Sequence, residues 1–279
     1  MKTPVEVIEA ASNAGASKAA LSDKGGGRFW LLAVLAGIYI AMGGTLSVIL
    51  GYGFPEITAA NPSLQRLLSG AAFPLGLILV VILGAELFTG NNAVLMPSVL
   101  SGRISAFSVL KNWVLVYFGN FLGALFFTTV FVYLSGLTSA EPYHGAVQRI
   151  AEAKVSMPWG VVFIKGIAAN WFVCLAVWLA TTATTMPGKM IGCWLPVMTF
   201  VALGYEHSIA NMFFIPIGIM EGARVTIHQF LIDNLVPATI GNIVGGALFV
   251  GTVYWYINKK TLKSATIIQY TIKGRFMSR

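Results

Sequence analysis

Read for apolar runs alone, the chain divides into six stretches that approach the ~20 residues needed to span a bilayer. They run roughly over 29–52, 67–98, 110–135, 157–182, 189–220 and 234–257. The second and fifth are too long for one plain helix. Each carries a polar, glycine-bearing interruption, Gly84 to Asn92 in the second and Gly204 to Asn211 in the fifth. Each then resumes as a short apolar piece and meets a proline, Pro97 or Pro216. This pattern predicts two broken helices.

The polar positions repeat. Asn112, Gly119, Asn120 and Gly123 in the third stretch recur as Asn234, Gly241, Asn242 and Gly245 in the sixth, at a constant offset of 122. Leu83-Gly84-x-Glu86 recurs as Leu203-Gly204-x-Glu206 at an offset of 120. Each repeat holds three spans, an odd number, so the halves must lie upside down relative to each other. The expected fold is an all-α membrane protein of six transmembrane helices, in two inverted three-helix repeats with helices 2 and 5 broken. Such repeats place a solute path near the midplane at their interface. The Gly-x3-Gly spacings suit close helix contact. Flanking this channel domain, 28–258, the sequence predicts an amphipathic N-terminal helix, 1–27, and a basic tail, 259–279.

Composition agrees with the membrane reading: 57% of residues are hydrophobic and 10% charged, against about 25% charged in soluble domains. The net charge of +8 is a matter of orientation, not of nucleic acid. With both termini on one side, that side holds Lys2, Lys18, Lys24, Arg28, Arg103, Lys111, Lys189, Lys259, Lys260, Lys263, Lys273, Arg275 and Arg279. The opposite loops hold Arg66, Arg149, Lys154 and Arg224. This asymmetry places both termini in the cytoplasm, in a cell (inner or plasma) membrane. Cys174 and Cys193 lie in apolar runs and have neither disulfide nor metal spacing. No cofactor is implied.

The chemistry lies in the interruptions. Unpaired backbone in lipid costs several kcal/mol per group, so breaks at bilayer depth must line a cavity or pack in protein. Thr89, Asn91, Asn92, Ser208 and Asn211 are candidate lining residues, or caps of the half-helices. His207, between long apolar runs, is the side chain able to exchange a proton near neutrality. Glu86 and Glu206 occupy equivalent places, which suggests a structural anchor at each break. Lys165, inside the fourth span, pairs with one of them, snorkels, or draws anions. Asn170 is a candidate hydrogen-bond donor to the same cavity. Ser208 beside His207 does not make a nucleophile and base, because adjacent helical residues face apart, and no enzyme is expected. A neutral-solute pore of aquaporin type would need two Asn-Pro-Ala boxes, which are absent.

At these residues the chain resembles the formate/nitrite transporter family. Val81-Ile-Leu-Gly-Ala-Glu-Leu-Phe-Thr-Gly90, Gly166-Ile-Ala-Ala-Asn-Trp-Phe-Val-Cys-Leu-Ala176 and Gly204-Tyr-Glu-His-Ser-Ile-Ala-Asn-Met212 resemble its motifs in the second, fourth and fifth spans. The resemblance implies an aquaporin-like protomer and a homopentamer with one pore per subunit, set in the lipid bilayer. It implies that His207 is the central proton-exchange residue, with Thr89 its partner and Asn170 a nearby polar group. Phe73, Leu77, Leu87, Val173 and Phe200 would form apolar constrictions either side of a chamber. Lys154 would be the anion-attracting vestibule lysine, and the N-terminal helix resembles the segment proposed to gate the cytoplasmic mouth at low pH. Ser208 to Pro216 and Ile232 to Asn242 look most like the formate branch, so the expected solute is a small monovalent anion, formate. Lys165 departs from that branch and resembles nitrite-type members, so nitrite, hydrosulfide and lactate stay open.

Overall fold

The computed structural model describes residues 1–259, so all of the expected basic tail except Lys259 lies outside the described residues. Every regular element among those residues is helical. In order they are α1 (Pro4–Lys24), α2 (Gly27–Tyr52), α3 (Pro55–Ala60), α4 (Pro62–Leu83), α5 (Phe88–Leu100), α6 (Ala106–Tyr133), α7 (Tyr143–Val155), α8 (Trp159–Thr182), α9 (Met186–Ala202), α10 (Ser208–Met220) and α11 (Gln229–Lys259).

Five of these, α2, α4, α6, α8 and α11, are long and apolar enough to cross a membrane. The expected fifth crossing is the pair α9 and α10, of 17 and 13 residues. The expected second crossing is the pair α4 and α5. It begins earlier than hydropathy suggested, because Pro62 supplies a preformed first turn to the polar segment before Leu67. The interruptions are short. Gly84 (φ 72°) and Gly204 (φ 70°) take the left-handed conformation that ends α4 and the turn after α9. Helix resumes at Phe88 and at Ser208.

Each half is closed by a glycine-mediated crossing. Gly123 of α6 lies against the Val34 carbonyl of α2, and Gly245 of α11 against the Ile167 carbonyl of α8, where any Cβ would collide. Tyr117 and Thr239, equivalent residues of the two repeats, share a hydrogen bond of 2.8 Å between their hydroxyls. Equivalent residues that touch lie beside the axis relating the halves, so this bond marks where that axis passes between α6 and α11.

The N-terminal helix is packed into the domain. Thr3 and Glu6 form a capping box at its start, and Val7, Ile8, Ala11 and Ala19 are buried. Gly15 admits the side chain of Ser98 on α5, whose hydroxyl donates to the Ser12 carbonyl at 2.6 Å. The link before the fourth crossing is also a helix, α7. Its Ala151 and the Val147 carbonyl meet Gly218 of α10.

Candidate functional site

Backbone torn open at bilayer depth needs partners, and two asparagines provide them. In the first break the Asn120 carboxamide oxygen accepts from the Phe88 N–H at 2.9 Å, and its nitrogen donates to the carbonyls of Ala33 (2.7 Å) and Glu86 (2.8 Å). In the second, Asn242 accepts from the Ser208 N–H at 2.8 Å and donates to the carbonyls of Gly166 (2.8 Å) and Glu206 (3.0 Å). All of these groups are buried, so each lost bond would cost its full desolvation.

The glutamates are anchored in the same duplicated way. Glu86 Oε1 pairs with Lys18 Nζ at 2.8 Å, and Glu86 Oε2 accepts from Asn91, whose amide also reaches Asn112. Glu206 Oε1 pairs with Lys154 Nζ at 2.9 Å, and Glu206 Oε2 accepts from Asn211, whose amide also reaches Asn234. Asn112 and Asn234 in turn donate to the carbonyls of Lys18 (3.3 Å) and Lys154 (2.9 Å). A buried carboxylate without a cation is strongly destabilising. Lys154 and Lys18 answer that need, one from α7 and one from α1. Lys165 pairs with neither glutamate; its Nζ lies 3.4 Å from the Met157 sulfur.

Lys18 escaped the sequence reading. The two lysines precede their glutamates by 68 and 52 residues, so the repeat offset carries no trace of their equivalence. The four asparagines were visible only as repeat markers. Their bonding role was not.

The duplication fails where the half-helices resume, and that is where the chemistry sits. Leu87 and His207 are equivalent, each the last residue before helix resumes. Leu87 makes no side-chain cap. The His207 Nδ1 accepts from the Ala210 N–H at 3.0 Å, and its Nε2 lies 3.0 Å from the Thr89 hydroxyl. With Nδ1 an acceptor, the proton of the neutral imidazole resides on Nε2 and is donated to Thr89 Oγ1. Both side chains are buried, His207 at 2% exposure and Thr89 at 0%.

A cavity of about 370 Å³ reaches His207 from the Lys154 side. Phe73 and Phe200 line it, edge to face with centroids 5.9 Å apart, and the Phe200 ring stacks on the imidazole at 5.8 Å. Arg66, Lys154, Lys165 and Glu206 share its wall, three cations against one carboxylate. Leu77, Leu87 and Val173 are buried residues outside this lining. Asn170 is also outside it. Its amide nitrogen is bonded to the Thr89 carbonyl (3.2 Å), Asn92 Oδ1 (3.1 Å) and the Asn242 carbonyl (2.6 Å), so it braces the backbone that carries Thr89.

Residues 5–256 match the family model described as formate/nitrite transporter. A probable formate transporter of Methanothermobacter thermautotrophicus is 40% identical over 271 residues, covering 91% of this chain and 96% of the relative. The formate channel of Escherichia coli K12 is 37% identical over 275 residues, covering 91% and 93%. A solved ion channel of the same family superposes with a TM-score of 0.83 at 32% identity, covering 90% of this chain and 98% of that one. A solved pentameric formate channel with formate bound superposes with a TM-score of 0.72 at 35% identity, covering 82% and 96%.

Proposed function

The chain belongs to the formate/nitrite transporter family, and from that premise we propose that it passes formate across a cell membrane by proton exchange at His207. The observation that carries this reading is the His207–Thr89 pair, 3.0 Å apart behind the aromatic gate of a cavity rich in positive charge.

The energetics favour a protonated solute. Moving a bare carboxylate into an apolar constriction costs tens of kcal/mol in the idealised limit. Protonating a carboxylate of pKa near 4 at neutral pH costs about 4 kcal/mol. The cavity's excess of cations concentrates the anion at the gate, with Lys154 at its inner wall. The Thr89 hydroxyl, which accepts from Nε2, offers its own proton outward. The exchange balances when His207 enters it as imidazolium. Nδ1 takes up a proton from the aqueous side in place of the Ala210 bond, and Nε2–H passes to Thr89 Oγ1 as the Thr89 proton passes to the formate oxygen. A neutral imidazole with its proton on Nδ1 remains. The near-neutral acid is the form that crosses the apolar constrictions either side of this chamber, assigned to Phe73, Leu77, Leu87, Val173 and Phe200.

Several features support the assembly. The excess of Lys and Arg on the side of the termini favours both ends in the cytoplasm. The exposed apolar row of Phe107, Leu110, Val114 and Phe118 on α6 suits lipid or a neighbouring copy. The solved relative described as pentameric supports a homopentamer. The position of α1, whose Lys18 grips the first break, supports a gating role for the N-terminal helix.

The test is uptake into liposomes holding purified protein, comparing formate, nitrite, hydrosulfide and lactate at two pH values. Formate is expected to enter fastest, with a pH dependence that is lost in His207→Phe. If that variant kept the parent's formate flux at every pH, the relay would be wrong. Faster nitrite or hydrosulfide uptake would reassign the solute within the family.

A further inference from the structure

Lys165 does a backbone job that needs no charge. Its carbonyl accepts from the Glu206 N–H at 3.4 Å, and the neighbouring Gly166 carbonyl accepts from Asn242. In the other half Leu32 accepts from the Glu86 N–H at 3.1 Å, and Ala33 accepts from Asn120. Leu32 and Lys165 are therefore structural equivalents, and a leucine suffices to hold a break. The ammonium at 165 is an addition to one half only.

That ammonium is costly where it stands. A cation within a membrane span is stabilised by an acid, by carbonyls or by water. Among the described residues Lys165 has no acid partner, and its one polar contact is the thioether of Met157. The single carboxylate on the cavity wall is committed to Lys154, Asn211 and Asn234. Arg66, on the first turns of α4 and exposed, also has no ion pair among the described residues. The Lys154 charge is thus offset by Glu206, whereas those of Lys165 and Arg66 are not.

We propose that Lys165, aided by Arg66, is the charge that recruits small monovalent anions into this cavity, while Lys154 serves to hold Glu206. The proposal rests on the reading that anions enter beside His207, and it deepens that reading by naming the binding station. An unpaired ammonium in a wet pocket raises the local anion concentration by Coulomb attraction, an effect that salt screens.

The experiment measures initial formate uptake into proteoliposomes against formate concentration, at one pH, in low and high salt. Lys165→Leu copies the residue that the other half uses. It is expected to raise the half-saturating concentration about three- to tenfold at low ionic strength, with the difference collapsing near 0.5 M salt as the Debye length falls to a few ångström. Lys165→Arg should restore the parent curve, and Arg66→Gln should shift it in the same direction by less. Superposition of the Lys165→Leu and parent curves at low salt would overturn the proposal. Should the leucine variant not assemble, Arg66→Gln and Lys165→Arg decide: an unshifted curve for the first, or a raised, salt-insensitive one for the second, overturns it. The pH profile of His207→Phe is read in the same vesicles. A chain that moves no anion at all sinks the transport reading, whereas transport with unshifted half-saturation sinks only the role of Lys165.

Discussion

His207 Nε2 and Thr89 Oγ1 lie 3.0 Å apart although 118 residues separate them in sequence. Each stands at the start of a resumed half-helix, one in each repeat. The contact exists because the starts of the two resumed half-helices meet. The imidazole is turned toward Thr89 by the Ala210 N–H, which occupies Nδ1 and leaves Nε2 to carry the proton.

Replacing Thr89 with valine keeps the volume and removes the oxygen. A buried Nε2–H without an acceptor costs about 1–3 kcal/mol, and the expected loss of thermal stability is of that order. Formate uptake should fall and its pH dependence flatten, while Thr89→Ser, which keeps the hydroxyl, should retain both. Uptake at a series of pH values reads the difference. A valine variant with the parent's profile would remove Thr89 from the relay.

Lys18→Met should leave the Glu86 carboxylate buried without a cation. The expected destabilisation is about 1–3 kcal/mol, below the fully buried case, because the lysine side chain keeps 23% of its exposure. Adding Glu86→Gln should recover part of the loss, so the double variant is less damaged than the sum of the singles. Lys154 and Glu206 should behave in the same way. Thermal unfolding of the purified protein in detergent gives the values for the singles and doubles of both pairs, and strict additivity would mean that the pairs contribute nothing.

Gly123→Ala and Gly245→Ala should each cost about 1–3 kcal/mol by overpacking, since the new methyl would strike the Val34 or the Ile167 carbonyl. Gly160, near the start of α8, meets nothing within reach of an added Cβ. Its alanine variant should stay within about 1 kcal/mol of the parent. Similar melting temperatures for all three would contradict the close crossings of α2 with α6 and of α8 with α11.

Bonds from Thr3, the backbone N–H first and the hydroxyl second, hold the exposed Glu6 carboxyl below its usual range. A depressed value means that the cap contributes stability above the unfolded pKa and loses it as pH falls through the folded one. Amide exchange in the first turn of α1, corrected for its intrinsic pH dependence, should therefore quicken below about pH 4. Glu6→Gln should show no such step. A step that persisted in the glutamine variant would place its origin elsewhere.

Much of the architecture was legible in the chain because it depends on local properties. Gly84 and Gly204 ended helices where apolar runs met polar residues, and the Asn-Gly repeats predicted the close crossings that Gly123 and Gly245 make. The site was legible in part. His207 stood out as an imidazole between apolar runs, but its tautomer depends on Ala210 and Thr89, which only folding brings to it. Asn170 looked like a donor to the cavity, and the structure spends its amide on protein carbonyls instead. Lys154 was expected as the vestibule lysine that attracts anions, and its pairing with Glu206 is an interaction that no spacing announces. Lys18 gave no signal because the residues between each lysine and its glutamate differ in number.

By itself the sequence determined that this protein is an apolar, helical, duplicated chain interrupted twice, since hydropathy, proline, glycine and a repeat offset are read along one dimension. Which cation answers which carboxylate, which ring nitrogen carries the proton, and which lysine is left uncompensated were decided only in three dimensions. Electrostatic and hydrogen-bonding partners are chosen by distance in space, and buried polar groups accept whichever partner the packing of distant helices supplies.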